Sequence, residues 1–359
     1  MLRRVWVMAV GMVFSLALGA TAWAGDLEMK GSVPSMGADG DLVAVVAGEE
    51  GNLGCAVSHD GGANFGAAVA VGKVASGQML GMRRGPQIAV RGKTIMIVTN
   101  TAKAARIAAF RSVDEGKTWQ GPTDIDEPSG RSPEGLMSVA PTREGFAVVY
   151  LELVDKMMRI SMVRSVDDGK TWEKSRLVYA SPDGHVCECC QPTIVSDRGG
   201  NVAVMFRNTL AGNRDMYVTL SKDDGKTFGA ASKLGKGTWP LDACPMDGGG
   251  ITLEGKEGGK EKGIVAAFRR QGTLYTVRPG EAEREIGTGK NPVIVATEAG
   301  LVLAWETKTG MMIRVPKAKD VAMEGAGAPE LVKTSRGIVL AYTTREGNAS
   351  VAHTRVVGK

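Results

Sequence analysis

Four eight-residue stretches of this chain match one another: SHDGGANF (residues 58–65), SVDEGKTW (112–119), SVDDGKTW (165–172) and SKDDGKTF (221–228). The shared pattern is S-x-D-x-G-x-[TN]-[WF], and its Asp residues fall at 60, 114, 167 and 223. Self-similarity at a period near 50 residues means propeller blades or a solenoid, because one such unit cannot bury both its faces alone. The pattern itself has the chemistry of a turn. The carboxylates of Asp60, Asp114, Asp167 and Asp223 can accept hydrogen bonds from backbone N–H groups around a loop opened by Ser58, Ser112, Ser165 or Ser221. Gly62, Gly116, Gly169 and Gly225 can take a positive φ at little cost. Trp119, Trp172 and Phe228 close the loop onto a neighbouring layer. A calcium loop would need more oxygen ligands than one or two Asp residues provide.

A second pattern lies between these turns: two apolar runs joined by a polar turn. It recurs seven times, as VPSMGADGDLVAVVA, PQIAVRGKTIMIV, APTREGFAVVY, PTIVSDRGGNVAVMF, GITLEGKEGGKEKGIVAAF, PVIVATEAGLVLAW and PELVKTSRGIVLAY. Each reads as the inner strands of a four-stranded antiparallel blade. The last three units lack the Asp turn. The 49 glycines and the 5% aromatic content suit close sheet-on-sheet packing. The expected fold is all-β, a β-propeller of six or seven blades.

Residues 1–24 are expected to lie outside this domain, which then runs from 25 to 359. They carry a basic start (Arg3, Arg4), an apolar run and the small-x-small site Ala22-Trp23-Ala24, the makeup of a cleaved secretory signal peptide. Their removal takes away two arginines and lowers the net charge from +5 to +3, too mild and dispersed to argue for a nucleic-acid partner. No later segment is apolar enough to span a bilayer. The expected location is the periplasm or the exterior, where disulfides can form.

The repeated turn is the Asp box, or BNR repeat, and the chain resembles the sialidase superfamily of β-propellers. The resemblance implies six blades and, at the mouth of the ring, an arginine triad on the sialate carboxylate. It also implies a Tyr nucleophile paired with a Glu, and an Asp acid/base. Position by position, the triad candidates are Arg84 in RRGPQIAV, Arg207 in NVAVMFRN and Arg270 in RRQGTLYTV, with Arg269 beside it. The chemical groups fit less well. No Asp or Glu lies between Gly85 and Arg111. Gln191 or Cys190 occupies the place of the Glu, and Lys290-Asn291 that of the Tyr, although Trp305-Glu306 ends that unit as expected. Without nucleophile and acid, binding does not become glycoside hydrolysis.

Three of the five cysteines crowd into HVCECCQPT (185–193), just before the first strand of the fourth unit, and Cys244 precedes the fifth. Adjacent blades bring equivalent positions together, so Cys187, Cys189, Cys190 and Cys244 are expected to meet at the mouth with His185, Met246 and Asp247. Three readings stay open: one or two disulfides, such as Cys244 to one of the three; a copper or zinc site built from soft and borderline donors; or a reactive thiol whose pKa Arg207 lowers. Cys55 reads as a buried free thiol, and His59 and His353 as structural. Glu152 is a weaker candidate for a mouth carboxylate. Asp215 and Tyr217 read as turn and packing residues.

The sequence thus points to an exported, sialidase-like Asp-box propeller. Its cysteine-rich mouth would bind a metal or a small anionic or glycan ligand without classical sialidase catalysis. A divergent exo-α-sialidase or related glycoside hydrolase, and a protein-interaction propeller with structural disulfides, are the alternatives.

Overall fold

The structure is a computed structural model that describes residues 27–75, 77–126, 130–255 and 263–358. The expected signal peptide lies outside the described residues. Every regular element among those residues is a β-strand, and none is a helix long and apolar enough to cross a membrane.

The chain opens with β1 (Glu28–Lys30) and then builds blades of four strands, innermost first. Blade I is β2 (Ser32–Asp39), β3 (Leu42–Glu49), β4 (Asn52–Ser58) and β5 (Val69–Lys73). Blade II is β6 (Gln87–Arg91), β7 (Thr94–Thr101), β8 (Arg106–Ser112) and β9 (Gln120–Asp124). Blade III is β10 (Met137–Pro141), β11 (Phe146–Val154), β12 (Met157–Ser165) and β13 (Arg176–Tyr179). Blade IV is β14 (Thr193–Ser196), β15 (Val202–Leu210), β16 (Asn213–Ser221) and β17 (Ser232–Lys233). Blade V is β18 (Gly249–Glu254), β19 (Gly263–Arg270), β20 (Thr273–Val277) and β21 (Arg284–Thr288). Blade VI is β22 (Lys290–Thr297), β23 (Gly300–Glu306), β24 (Gly310–Arg314) and β25 (Val321–Glu324). Blade VII takes β26 (Gly327–Thr334), β27 (Gly337–Glu346) and β28 (Ala349–Gly358) from the end of the chain and β1 from its start.

The ring therefore has seven blades, not the six that the resemblance implied. It closes through β1, whose Glu28, Met29 and Lys30 pair with His353, Ala352 and Val351 of β28. The innermost strands touch in sequence around the axis, and β2 meets β26 to complete the circle. The second strand of each blade lies between two neighbours. Such a strand reads as a continuous apolar run rather than an alternating one, as in β7, where every residue is buried. Seven apolar layers fill the seven gaps between blades, from Val46, Val90 and Ile97 between blades I and II to Val45 and Val339 between VII and I. Met96 and Met205 are fully buried in these layers, fitting irregular gaps that few aromatics are present to fill.

All four Asp boxes form the expected turn, between the third and fourth strands of blades I to IV. In each, the serine hydroxyl bonds the Asp side chain and accepts the glycine N–H: Ser165 Oγ lies 2.8 Å from Asp167 Oδ1 and 2.7 Å from Gly169 N. The Asp then accepts two bonds from the residue four positions on, here the N–H and hydroxyl of Thr171. These bonds hold the Asp114 and Asp167 carboxyls down at about 2. Each box also docks on the preceding blade. Gly169 lies so close to Met96 of blade II that a Cβ would fall 2.0 Å from its methyl carbon, and Gly62 meets Val339 of blade VII in the same way. The fourth box adds a buried charge. Asp224 accepts the N–H groups of Arg143 and Glu144 at 3.0 and 3.3 Å and pairs with the buried Arg164 at 3.2 Å, all in blade III.

Asp224→Ala leaves Arg164 buried without its innermost partner, although Glu144 and Glu173 still reach it. Removing one member of a buried pair costs about 3–5 kcal/mol. A loss near 3 kcal/mol is expected in urea denaturation; a change within about 0.5 kcal/mol would show that the box does not clamp the blades.

Candidate functional site

The mouth lies where the innermost strands begin, and it is not symmetric. In blades I, VI and VII the residue before a proline has a left-handed backbone: Val33 (φ 51°), Asn291 (φ 52°) and Ala328 (φ 49°). The strand register slips at the same points, between Ser32 and Ser35, Lys290 and Val293, and Gly327 and Glu330. Non-glycine residues avoid this conformation and a following proline disfavours it further, at about 1–3 kcal/mol each. Such bulges re-aim side chains beside functional sites. Between these three blades and blade II lies a cavity of about 370 Å³.

Charged side chains of opposite sign line it: Arg83, Lys290 and Arg345 against Glu306 and Glu330. Arg83 Nε donates to Gln191 Oε1 at 2.7 Å, and Gln191 Nε2 donates to the Met137 carbonyl at 2.8 Å. That chain of bonds ties blades II, III and IV and fixes the guanidinium. Its two outer nitrogens find no hydrogen-bond partner among the described residues. Lys290 Nζ lies 3.2 Å from Glu306 Oε2, and Glu306 Oε1 accepts the Ala328 N–H, also at 3.2 Å. Glu330 borders the cavity and is half-buried between the blades. Burial pushes its carboxyl up from the ordinary range, and the Arg83 charge pulls it part of the way back. A cavity lined by three cations and two carboxyl groups is net positive even with both carboxyls ionised. It suits a ligand carrying a carboxylate or sulfate among hydroxyls.

The cysteines lie behind Met246, between blades IV and V. Cys187, Cys189 and Cys190 are buried in one cluster, and Met246 packs on them while also lining the cavity. Of the one or two disulfides left open by the sequence, one forms: Cys189–Cys244, with S–S 2.03 Å and Cα–Cα 6.2 Å. Cys187 and Cys190 remain thiols, with sulfurs 3.4 Å apart; Cys187 also lies 3.8 Å from Cys189. The hydrogen bond with Cys190 and the charges of Arg207 and Arg214 pull the Cys187 thiol well below its ordinary range, while burial pushes Cys190 up. Cys55 is free and buried in β4, as expected, and burial pushes it up to about 12. His185 departs from expectation. Its Nδ1 faces the Met158 N–H and the Glu188 carboxylate, outside the sulfur cluster, because the bridge from Val186 to Asn208 carries the chain away from the cysteines there.

The three triad candidates do not share a site. Arg84 binds the carbonyl and carboxylate of Glu134 in the loop before blade III. Arg270 pairs with Glu283 and covers the Tyr275 ring. Arg207 is buried beside the sulfurs, donating to the carbonyls of Arg214 (2.7 Å) and Arg269 (3.0 Å). The neighbours in sequence are the ones that turn inward. Arg83 rather than Arg84 faces the cavity, since Met82 and Arg83 both adopt positive φ. Arg269 rather than Arg270 flanks Trp239 with Arg207 and pairs with the buried Asp247 at 2.5 Å. Glu152 is buried and committed to Arg159 and Ser161. Asp215 lies within β16 rather than in a turn and pairs with Lys233, while Tyr217 takes the packing role expected of it, stacking on Phe206. His59 faces Glu115, and His353 bonds Thr344. Glu330 and Arg83 escaped the sequence reading. The signal that could have found Glu330 is the recurrent x-Pro at the start of the inner strands, since it directly follows Pro329; Arg83, three residues before Pro86, carried no such signal.

Residues 85–240 match the family described as a BNR repeat-like domain. No curated protein matches the chain. Among solved structures, the Penicillium chrysogenum alpha-L-arabinanase complexed with arabinobiose is 12% identical over 91% of this chain and 93% of its own, with a TM-score of 0.50. An ulvan lyase bound to -[GlcA(1-4)Rha3S]- is 10% identical over 92% and 93%, with a TM-score of 0.53. The Trypanosoma rangeli sialidase in complex with sialic acid is 12% identical over 92% of this chain but 54% of its own, at 0.48. At these identities the likeness is one of fold.

The disulfide closes a loop of 55 residues, for which the chain-entropy relation gives about 4 kcal/mol and common experience about 2–4. Cys244→Ser is expected to lower the unfolding free energy by that amount. Peptide mapping under non-reducing conditions should find Cys189 joined to Cys244 and to no other cysteine.

Proposed function

We propose that this seven-bladed β-propeller, whose residues 85–240 match a BNR repeat-like domain, binds an acidic glycan in the mouth of the ring. The observation that carries the reading is Arg83, held by Gln191 at the edge of the cavity with two nitrogens unspent. A guanidinium so placed suits a bidentate bond to a carboxylate or sulfate. The ulvan lyase, which shares the fold, was solved with an acidic disaccharide repeat. Sialidase chemistry is not part of this proposal. Lys290 and Asn291 stand at the mouth where the resemblance expects the Tyr nucleophile, and among the described residues no tyrosine or histidine lines the cavity. We further propose export: residues 1–24 have the makeup of a signal peptide, and a disulfide suits an oxidising compartment.

A second reading has its own observation. Glu330 holds its proton more firmly than an ordinary carboxyl and shares the cavity with a second carboxylate, Glu306. Two carboxyl groups in unlike environments are what general acid catalysis of glycoside cleavage uses. Under this reading the chain cleaves the acidic glycan it binds.

Calorimetry with uronate-containing and neutral oligosaccharides of equal length tests the proposal. Tighter binding of the acidic series is expected, weakened roughly 10- to 100-fold by Arg83→Ala, the value of a charged hydrogen bond. Equal binding of both series, or an unaffected Arg83→Ala, would sink it. The pH dependence has a definite sign. Protonated Glu330 does not repel an anion and ionised Glu330 does, so affinity should fall as pH rises through its raised pKa. In Glu330→Gln that dependence should flatten. Release of reducing ends that Glu330→Gln abolishes while binding survives would establish the second reading, and release of sialic acid from a fluorogenic sialoside would overturn both.

A further inference from the structure

The sulfur cluster behind the mouth is not used by the glycan reading, and its surroundings pose an electrostatic problem. Arg207 is buried, yet among the described residues no carboxylate pairs with it; it spends its bonds on two carbonyls, and its Nε has no partner. Arg214, which donates to Thr209, likewise has no carboxylate partner among the described residues. The nearby Asp247 is already occupied by Arg269 and the Asn291 N–H. A buried cation without a counter-charge is costly, so the adjoining group must carry negative charge when the site is complete. The adjoining groups are the two free thiols.

We propose that Cys187, Cys190 and Met246 form a copper(I) site, sulfur-only and buried behind the mouth, with Arg207 and Arg214 as its counter-charge. The two thiols lie 3.4 Å apart and Met246 packs against them from the cavity side. Two thiolates and a thioether are soft donors, the set that selects copper(I) over harder ions. Zinc favours four donors drawn from sulfur and nitrogen. His185, the one imidazole in the neighbourhood, is turned to Met158 and Glu188 instead. The Cys189–Cys244 disulfide is not a ligand in this scheme. It joins the residue beside Cys190 to the loop that carries Met246, and so holds the two ligand-bearing loops together. Loading is balanced without a redox step. One copper(I) ion enters past Met246, and the two thiols release two protons to solvent. The resulting bis-thiolate complex has one net negative charge, which the two guanidiniums offset. The metal's oxidation state does not change, and the disulfide stays closed.

The test uses the full chain with its disulfide intact, titrated anaerobically with copper(I) held by a chromogenic chelator of known affinity. One copper per chain is expected. Cys187→Ser and Cys190→Ser should each abolish uptake, and Met246→Leu should weaken it roughly 10- to 100-fold, the range for disturbing a metal site's support. Cys55→Ser, a free thiol in blade I, should leave it unchanged. Because a serine variant could misfold, X-ray absorption on the unsubstituted copper-loaded chain gives a second measure: a first shell of sulfur alone is expected. Failure to take up copper, uptake that survives loss of both thiols, a nitrogen- or oxygen-rich shell, or zinc outcompeting copper(I) would each overturn the assignment. So would a Cys187–Cys190 disulfide in anaerobically prepared protein that excludes the metal. Glycan binding with Arg83 intact is read separately, so loss of one result does not decide the other.

Discussion

Every blade of this molecule is apolar on both faces, and that constraint governs the rest. A four-stranded sheet with two such faces has no stable edge-on or open arrangement in water; stacking in a ring covers every face once. The ring must then close, and the three residues of β1 do this by pairing with β28. At about 25 cal/mol per Å² of buried apolar surface, the seven interblade layers are the main stabilising contribution. The boxes add direction to these layers. Each places its glycine flush on the preceding blade, so no side chain can intervene between the two sheets.

A rigid ring lets its mouth carry strain. The left-handed Val33, Asn291 and Ala328 each lie where a strand meets the axis, with intact ladders below them. These bulges open one side of the mouth into a charged cavity. The opposite side, where blades IV and V are tied by Cys189–Cys244, stays closed and holds the sulfur cluster. Met246 belongs to both, facing the cavity and covering the thiols. The two candidate sites are thus neighbours with contrasting chemistry: hydrogen bonding and charge on one side, soft dry donors on the other.

The parts legible in the sequence were those whose signal is local. The Asp box needs only its own eight residues, and all four formed. The apolar runs named the blades, and the two cysteine-bearing loops were placed side by side by counting units. Less was legible where neighbours in sequence compete. Arg83 and Arg84, and Arg269 and Arg270, are indistinguishable by type; backbone conformation in the first case and strand alternation in the second decide which turns inward. Glu330 stood in a unit without a box, and only the proline before it set it apart from a solvated strand residue.

The sequence by itself determined the repeat, the all-β blades and the crowding of thiols before blades IV and V, because these depend on residue types a few positions apart. It did not determine that the ring holds seven blades, since blade VII is completed by a strand from the other end of the chain. Nor did it determine that Cys189 rather than its neighbours joins Cys244. It also left open whether Arg207 meets a carboxylate or only sulfur. Those outcomes depend on which groups share a buried space, and burial sets both the cost of an unpaired charge and the reach of a thiol. Only the closed tertiary structure brings residues from different blades into that space.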